Sequence, residues 1–226
     1  MTDHTVKTFD ADLANLLRMV AAMGDLVETE WNETIEALVR HDDPTQHGAG
    51  SGPSSGAMQR EIEDKAVVVI ARRQPVARDL RLVVAVWETA IELNRVGDLA
   101  RNIVDRERVI GPKYSMPAPA RGLRRLSRVA LRRLREAVNC VVSGDDAKAA
   151  ELWGSDNEID ALYSSLCREL LTYMMSDPES SPAAVHLLFC AKSIESIGDH
   201  VTNIADAVHY LVQGRRIGGA VENSAA

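Results

Sequence analysis

The chain has 226 residues, a formal net charge of −7, 46% hydrophobic residues and only 4% aromatic ones. The acidic balance argues against nucleic acid as the main partner, because phosphate backbones are gripped by net basic faces. No stretch reaches the roughly eighteen consecutive apolar residues of a membrane span, and the first residues lack the basic start and apolar run of a secretory leader. The expectation is a soluble, cytoplasmic protein with at most peripheral membrane association.

Ala, Leu, Val, Glu and Arg dominate, which favours helix over sheet. Apolar residues recur at three and four from Val6 to about Val39 (Phe9, Leu13, Leu16, Leu17, Val20, Met23, Val27, Trp31, Ile35, Leu38), which predicts one long amphipathic helix. GAGSGPSSG, from Gly48 to Gly56, holds no side chain able to pack a core and reads as a flexible loop. A second helix is expected over Ala57–Arg73. Gln74-Pro75 ends it, since proline removes a donor and biases the residue before it away from helix. A third helix runs from about Val76 to Val109, and residues 111–120 form a Gly/Pro-rich linker.

The second half repeats the scheme. Leu123–Val142 is a helix with a basic face made of Arg121, Arg124, Arg125, Arg128, Arg132, Arg133 and Arg135, read mainly as solvated. Asp145 or Asp146 caps the next helix, which is predicted to run to about Met175. Pro182 opens a last helix to Val212, with Gly214 as its stop and a disordered tail over 215–226. Cys140, Cys167 and Cys190 sit inside helical patterns without any CxxC, so they read as buried thiols. VGDLARNIVD (Val96–Asp105) matches IGDHVTNIAD (Ile197–Asp206) without a gap at an offset of 101, with five of ten positions identical. A repeat of this length predicts an all-α fold of two pseudo-symmetric three-helix bundles with long antiparallel helices, residues 1–110 and 121–214.

QPVARDLR (Gln74–Arg81), LNRVGDLARNI (Leu93–Ile103), ELLTYMMSDP (Glu169–Pro178) and SIESIGDHVTNIADAVHYLVQG (Ser193–Gly214) resemble the PhoU family of accessory regulators of bacterial phosphate-specific transport. The resemblance covers roughly residues 6–214, and the doubled GD-x-x-x-NI motif is its most specific part. It implies a non-enzymatic adaptor. Such a protein stands between the phosphate ABC transporter, through its ATPase subunit, and a sensor histidine kinase. It holds the phosphate-starvation response off when phosphate is plentiful and modulates uptake. The resemblance also implies a homodimer, and multinuclear metal clusters bound through paired acidic motifs.

Glu195 and Asp199 lie four apart and share one helix face, where like charges cost a few tenths of a kcal/mol. Asp156 and Asp160, in SDNEIDAL, match the acidic pair that the family places on the preceding helix. From spacing alone, solvated acidic edges are the better reading. With the resemblance, the four carboxylates become the expected ligands of a cluster of Fe, Zn, Mn or Mg ions, because converging carboxylates demand cations. The first half departs from the pattern. Asn94 stands where the family has Glu, and Gly52 and Gly56 stand near the positions of the acidic pair, so the first cluster is expected to be absent or weakened. Asp98 is then a hydrogen-bonding residue. Asp206 and its counterpart Asp105 read chiefly as solvated charges, Asn102 and Asn203 as packing hydrogen bonders, and His200 as a surface or interface histidine. Two other readings compete: a carboxylate-bridged dimetal enzyme and a purely structural dimerising bundle. The first usually needs paired Glu-x-x-His motifs, and none is present.

Overall fold

A computed structural model describes residues 2–40, 54–110, 117–155 and 157–217. Every regular element among them is helical: α1 (Thr2–Arg40), α2 (Ser55–Arg73), α3 (Ala77–Ile110), α4 (Pro117–Ser143), α5 (Asp146–Trp153), α6 (Asn157–Ser176), α7 (Ser181–Glu195) and α8 (Ile197–Gln213), with a 3-10 turn at Pro178–Ser180. The fold is all-α, as expected, in two three-helix halves. In the second half two of the expected long helices are each broken once.

The ends are set by local chemistry. Ser54 caps α2 by accepting the Ala57 N–H at 3.2 Å, so helix begins inside the stretch read as a loop. Gln74 leaves α2 in the left-handed region (φ 49°) with its N–H on the Ile70 carbonyl. Ala77 repeats that φ on the far side of Pro75-Val76. Both are non-glycine residues in a conformation that costs an L side chain roughly 1–2 kcal/mol. Asp145 caps α5 through the Lys148 N–H at 3.0 Å, and Gly214, at φ 75°, closes α8 on the Tyr210 carbonyl.

The two breaks have different causes. The helix expected from Asp145 to Met175 stops at Gly154, whose N–H reaches the Ala150 carbonyl, and restarts at Asn157. The helix expected from Pro182 to Val212 is interrupted at Ser196, which keeps helical φ but flattens to ψ −14°. There the backbone N–H and the Oγ of Ser196 both donate to the Lys192 carbonyl, each at 3.0 Å. Residues 117–120, placed in the linker by the sequence, belong to α4. Linker residues 111–116, loop residues 41–53 and tail residues 218–226 lie outside the described residues. Arg216 and Ile217, within the expected tail, are tied down by Asp206.

The main core is a continuous apolar cluster through both halves, with a small second cluster of Ala85, Ala207 and Leu211 between α3 and α8. Leu16, Val20, Met23, Val27, Trp31, Ile35 and Leu38 line α1, and Val83, Val86, Ala90, Leu93, Val96 and Ile103 line α3. Leu123, Leu126, Leu134 and Val141 of α4 join Ile197, Val201, Ile204 and Val208 of α8. α1 packs on α3 and α4, and α3 on α7 and α8, while α2 covers α1 and α3 and α6 covers α4 and α7. Trp31, fully buried, donates its indole N–H to the Val96 carbonyl at 2.9 Å, pinning α1 to α3 beside the first copy of the repeated motif.

Candidate functional site

The repeated Gly-Asp motif falls on α3 in the first half and at the start of α8, just past the α7–α8 break, in the second. In the first half, Gly97 lets α2 approach α3 closely: a Cβ there would stand 2.5 Å from Ser55 Oγ. Ser55 is fully buried and donates its hydroxyl to Asn94 Oδ1 at 3.1 Å, while Arg101 donates to Ser55 Oγ at 3.3 Å and pairs with Asp98. Gly56 faces Asn94 Oδ1, 3.3 Å from where its own Cβ would be. Burial raises the carboxyl of Glu30, on α1, above its ordinary value, and the Arg101 charge works against that rise. Where the family resemblance implied converging carboxylates, small and neutral residues meet on both helices, and one guanidinium answers the remaining Asp98.

The second half is more acidic but is also supplied with a cation. Lys192, one turn before Glu195, pairs with it. That pairing first, and the charge of Asp199 last, holds the ammonium above its ordinary value. The Lys192 Nζ lies 5.8 Å from the centre of the Tyr163 ring on α6. Burial and the neighbouring Cys167 raise the Tyr163 hydroxyl. Glu195 is partly buried, whereas Asp199 and Asp160 are exposed. Asp156 lies outside the described residues. Among the described residues no three His, Cys, Asp or Glu side chains gather as a metal set. Carboxylates have the right chemistry for a hard cation, but the described members of the expected tetrad do not by themselves make a site, and Glu195 already has the Lys192 ammonium.

Between the copies, α3 and α8 run antiparallel and are joined by polar contacts. Glu92 Oε2 meets His200 Nδ1 at 2.6 Å and accepts from Asn203 Nδ2 at 3.2 Å. Burial pushes the Glu92 carboxyl up, but the hydrogen bonds from His200 and Asn203, with the His200 and Arg95 charges, outweigh it and hold the group below its ordinary value. Arg216 bridges Glu88 of α3 at 2.5 Å and Asp206 of α8 at 3.1 Å, and Asp206 also accepts the Ile217 N–H at 2.7 Å. Asp206 is therefore an anchor for the chain leaving α8 and not a solvated charge. His209 and Gln213 hold Asp146 of α5 at 2.6 and 2.7 Å.

Sequence reasoning read His200 as a surface or interface histidine and missed its partner Glu92. It also missed the internal cations Arg101 and Lys192, although each stands three residues from its carboxylate, a spacing at which helical side chains meet. No described helix is long and apolar enough to cross a membrane.

Comparison with known proteins fits this layout. The family model "PhoU domain" matches twice, at residues 20–106 and 123–208, one match per half. A phosphate-specific transport system accessory protein PhoU homolog from Caulobacter vibrioides is 39% identical over 218 residues, covering 96% of this chain and 95% of the relative. The homolog of the same name from Rhizobium meliloti is 41% identical over 212 residues, covering 93% and 90%. The crystal structure of PhoU from Pseudomonas aeruginosa superposes with a TM-score of 0.79 at 31% identity, covering 92% of this chain and all of that one. These relatives bear the names of accessory proteins of phosphate transport and not of enzymes. With both halves matched at full length and the same fold in a solved relative, the chain belongs to the PhoU family.

Proposed function

We propose that the protein is a negative regulator of the phosphate-starvation response and a modulator of phosphate uptake. It acts in the cytoplasm as a homodimeric adaptor between the ATPase subunit of the phosphate ABC transporter and a sensor histidine kinase. The observation that carries this reading is the end-to-end match of both repeats to accessory proteins of phosphate-specific transport. The architecture is in keeping with it: a helical body whose polar groups mostly answer one another suits a protein that works by contact. The test is a starvation-gene reporter in a strain lacking the protein, grown in ample phosphate. The reporter should switch on and return to its off state when the gene is restored; a reporter that stays off without the protein would overturn the reading.

The same reading includes metal at Asp156, Asp160, Glu195 and Asp199. A cation bound there would have to take Glu195 from Lys192. Elemental analysis of the purified protein checks it. Metal should be present in stoichiometric amount and fall more in Asp199→Ala than in Asp98→Ala, since Arg101 already answers Asp98. Equal losses, or no metal in the wild type, would remove the metal from the proposal.

A further inference from the structure

α4 carries seven arginines between Arg121 and Arg135, and the fold uses four of them. Arg124 makes a two-pronged pair with Glu36 of α1, at 2.7 and 2.8 Å, and Arg135 makes another with Glu28. Arg132 and Arg133 share Glu158 of α6, at 3.2 and 3.5 Å. Arg121, Arg125 and Arg128 are exposed and have no ion pair among the described residues; Glu36, already taken by Arg124, feels Arg128 only as a more distant charge. Positions i, i+4 and i+7 lie on one helix face, and these three span about 10 Å along it.

Two features narrow what such a face can hold. Like charges at this spacing oppose the helix by a few tenths of a kcal/mol per pair, so the stripe is not there for stability. Among the described side chains of α4, no large hydrophobic one is exposed before Val142. Helices that settle into lipid set apolar side chains beside basic ones, and this stripe has none. The three residues are all arginine, whose planar forks match carboxylates two oxygens at a time.

α4 already shows what its arginines capture. On the adjoining face lies α1, antiparallel, with Glu28 and Glu36 each held in a guanidinium fork. We propose that the face made by Arg121, Arg125 and Arg128 docks an acidic helix of a protein partner in the same manner, with carboxylates on that helix at three- and four-residue spacing. Within a chain of net charge −7 this stripe is a local exception, so an acidic partner kept off elsewhere by repulsion is steered to α4.

The probe is a labelled alanine-based helical peptide with glutamates at i, i+4 and i+7, compared with an isomer of the same composition whose glutamates are spread around the helix. Binding to the full chain is followed by fluorescence anisotropy at low salt. The spaced peptide should bind more tightly than the isomer and lose affinity as salt rises. Changing Arg121, Arg125 and Arg128 together to Gln should weaken it by about tenfold, the equivalent of roughly 1.4 kcal/mol. Arg125→Gln alone should weaken it about two- to threefold, with circular dichroism unchanged, and this decides the matter if the triple variant folds poorly. Equal binding of the two peptides, or variants that bind like the wild type, would overturn the proposal. So would arginine-dependent binding to phosphatidylglycerol vesicles without binding of the peptide, which would give the face to lipid.

Discussion

Gly97 is where the contact between α2 and α3 can be tested by a single methyl group. In Gly97→Ala the new Cβ would stand 2.5 Å from Ser55 Oγ and 3.1 Å from Ser55 Cβ. Rotating the hydroxyl away does not free the site, because the Cβ contact remains tight and Ser55 is fully buried. Such overpacking costs about 1–3 kcal/mol. Displacing the Ser55 hydroxyl also threatens its bonds with Asn94 and Arg101, about 1 kcal/mol each. Against these stands the helical preference for Ala over Gly, about 1 kcal/mol. The net expectation is a loss of roughly 2 kcal/mol, which for a domain of this size lowers Tm by about 4–8 °C. Urea and thermal unfolding followed by circular dichroism measure it. Ser55→Gly removes the opposing atoms, so in the double variant the two changes should not add, with a coupling of about 1 kcal/mol or more. A Gly97→Ala protein as stable as the wild type, or more stable by the propensity difference, would refute the close approach of α2 to α3.

Glu92→Gln should destabilise the protein by roughly 1.5–3 kcal/mol at neutral pH, the range for hydrogen bonds to a charged group, because it weakens the contacts to His200 and Asn203. Since the folded-state pKa of Glu92 lies below its ordinary 4.5, its stabilisation is present above that value and is lost as pH falls through the lowered pKa. The gap between wild type and variant should therefore shrink in acid titrations below 4.5; a gap independent of pH would show that the carboxylate charge is not involved. Arg216→Gln should release residues 215–217 and be read as earlier hydrogen exchange at the Ile217 amide, with a Tm change of no more than about 4 °C; unchanged exchange would count against the Asp206 anchor. Burial pushes the Cys140 thiol to about 11 and the Cys190 thiol to about 12, so iodoacetamide at mildly alkaline pH should modify the half-buried Cys167 first. Prompt labelling of Cys190 in folded protein would contradict its burial on the face of α7 that packs against α3.

The fold was largely legible because its signals are local and repeated. Apolar residues at helical spacing marked α1, proline and glycine breaks bounded α2 and α3, and the Gly-Asp-Asn repeat set the two halves in register. The break at Gly154 had a visible cue in the glycine itself, yet the run of helix formers around it concealed the stop. The break at Ser196 had none, since serine inside a helix is only mildly unfavourable and the Ser196 hydroxyl bond to the Lys192 carbonyl is of a kind that Ser193 and Thr202 make inside unbroken helix. The candidate site divides in the same way. Acidic spacing pointed to Glu195 and Asp199, but Glu92 lies 108 residues from His200 and 111 from Asn203, and no periodicity predicts that meeting. The missing carboxylates at Asn94 on α3 and near Gly56 on α2 were legible in the sequence, while the part played by Ser55 was not. The joining of Asn94, Ser55 and Arg101 needed the packing.

The apolar interior passes from α1 through α3 and α4 to α8 without a seam. Two modules joined by a bare tether could swing, and one could unfold while the other stayed intact. Here any rotation of one half against the other tears buried side chains from their neighbours, so the chain should melt in one step and neither half should be stable when expressed alone. Under the adaptor role proposed above, a partner seated on one half would meet a single packed body, and its message would travel by which surfaces are covered and for how long, rather than by the closing of a hinge.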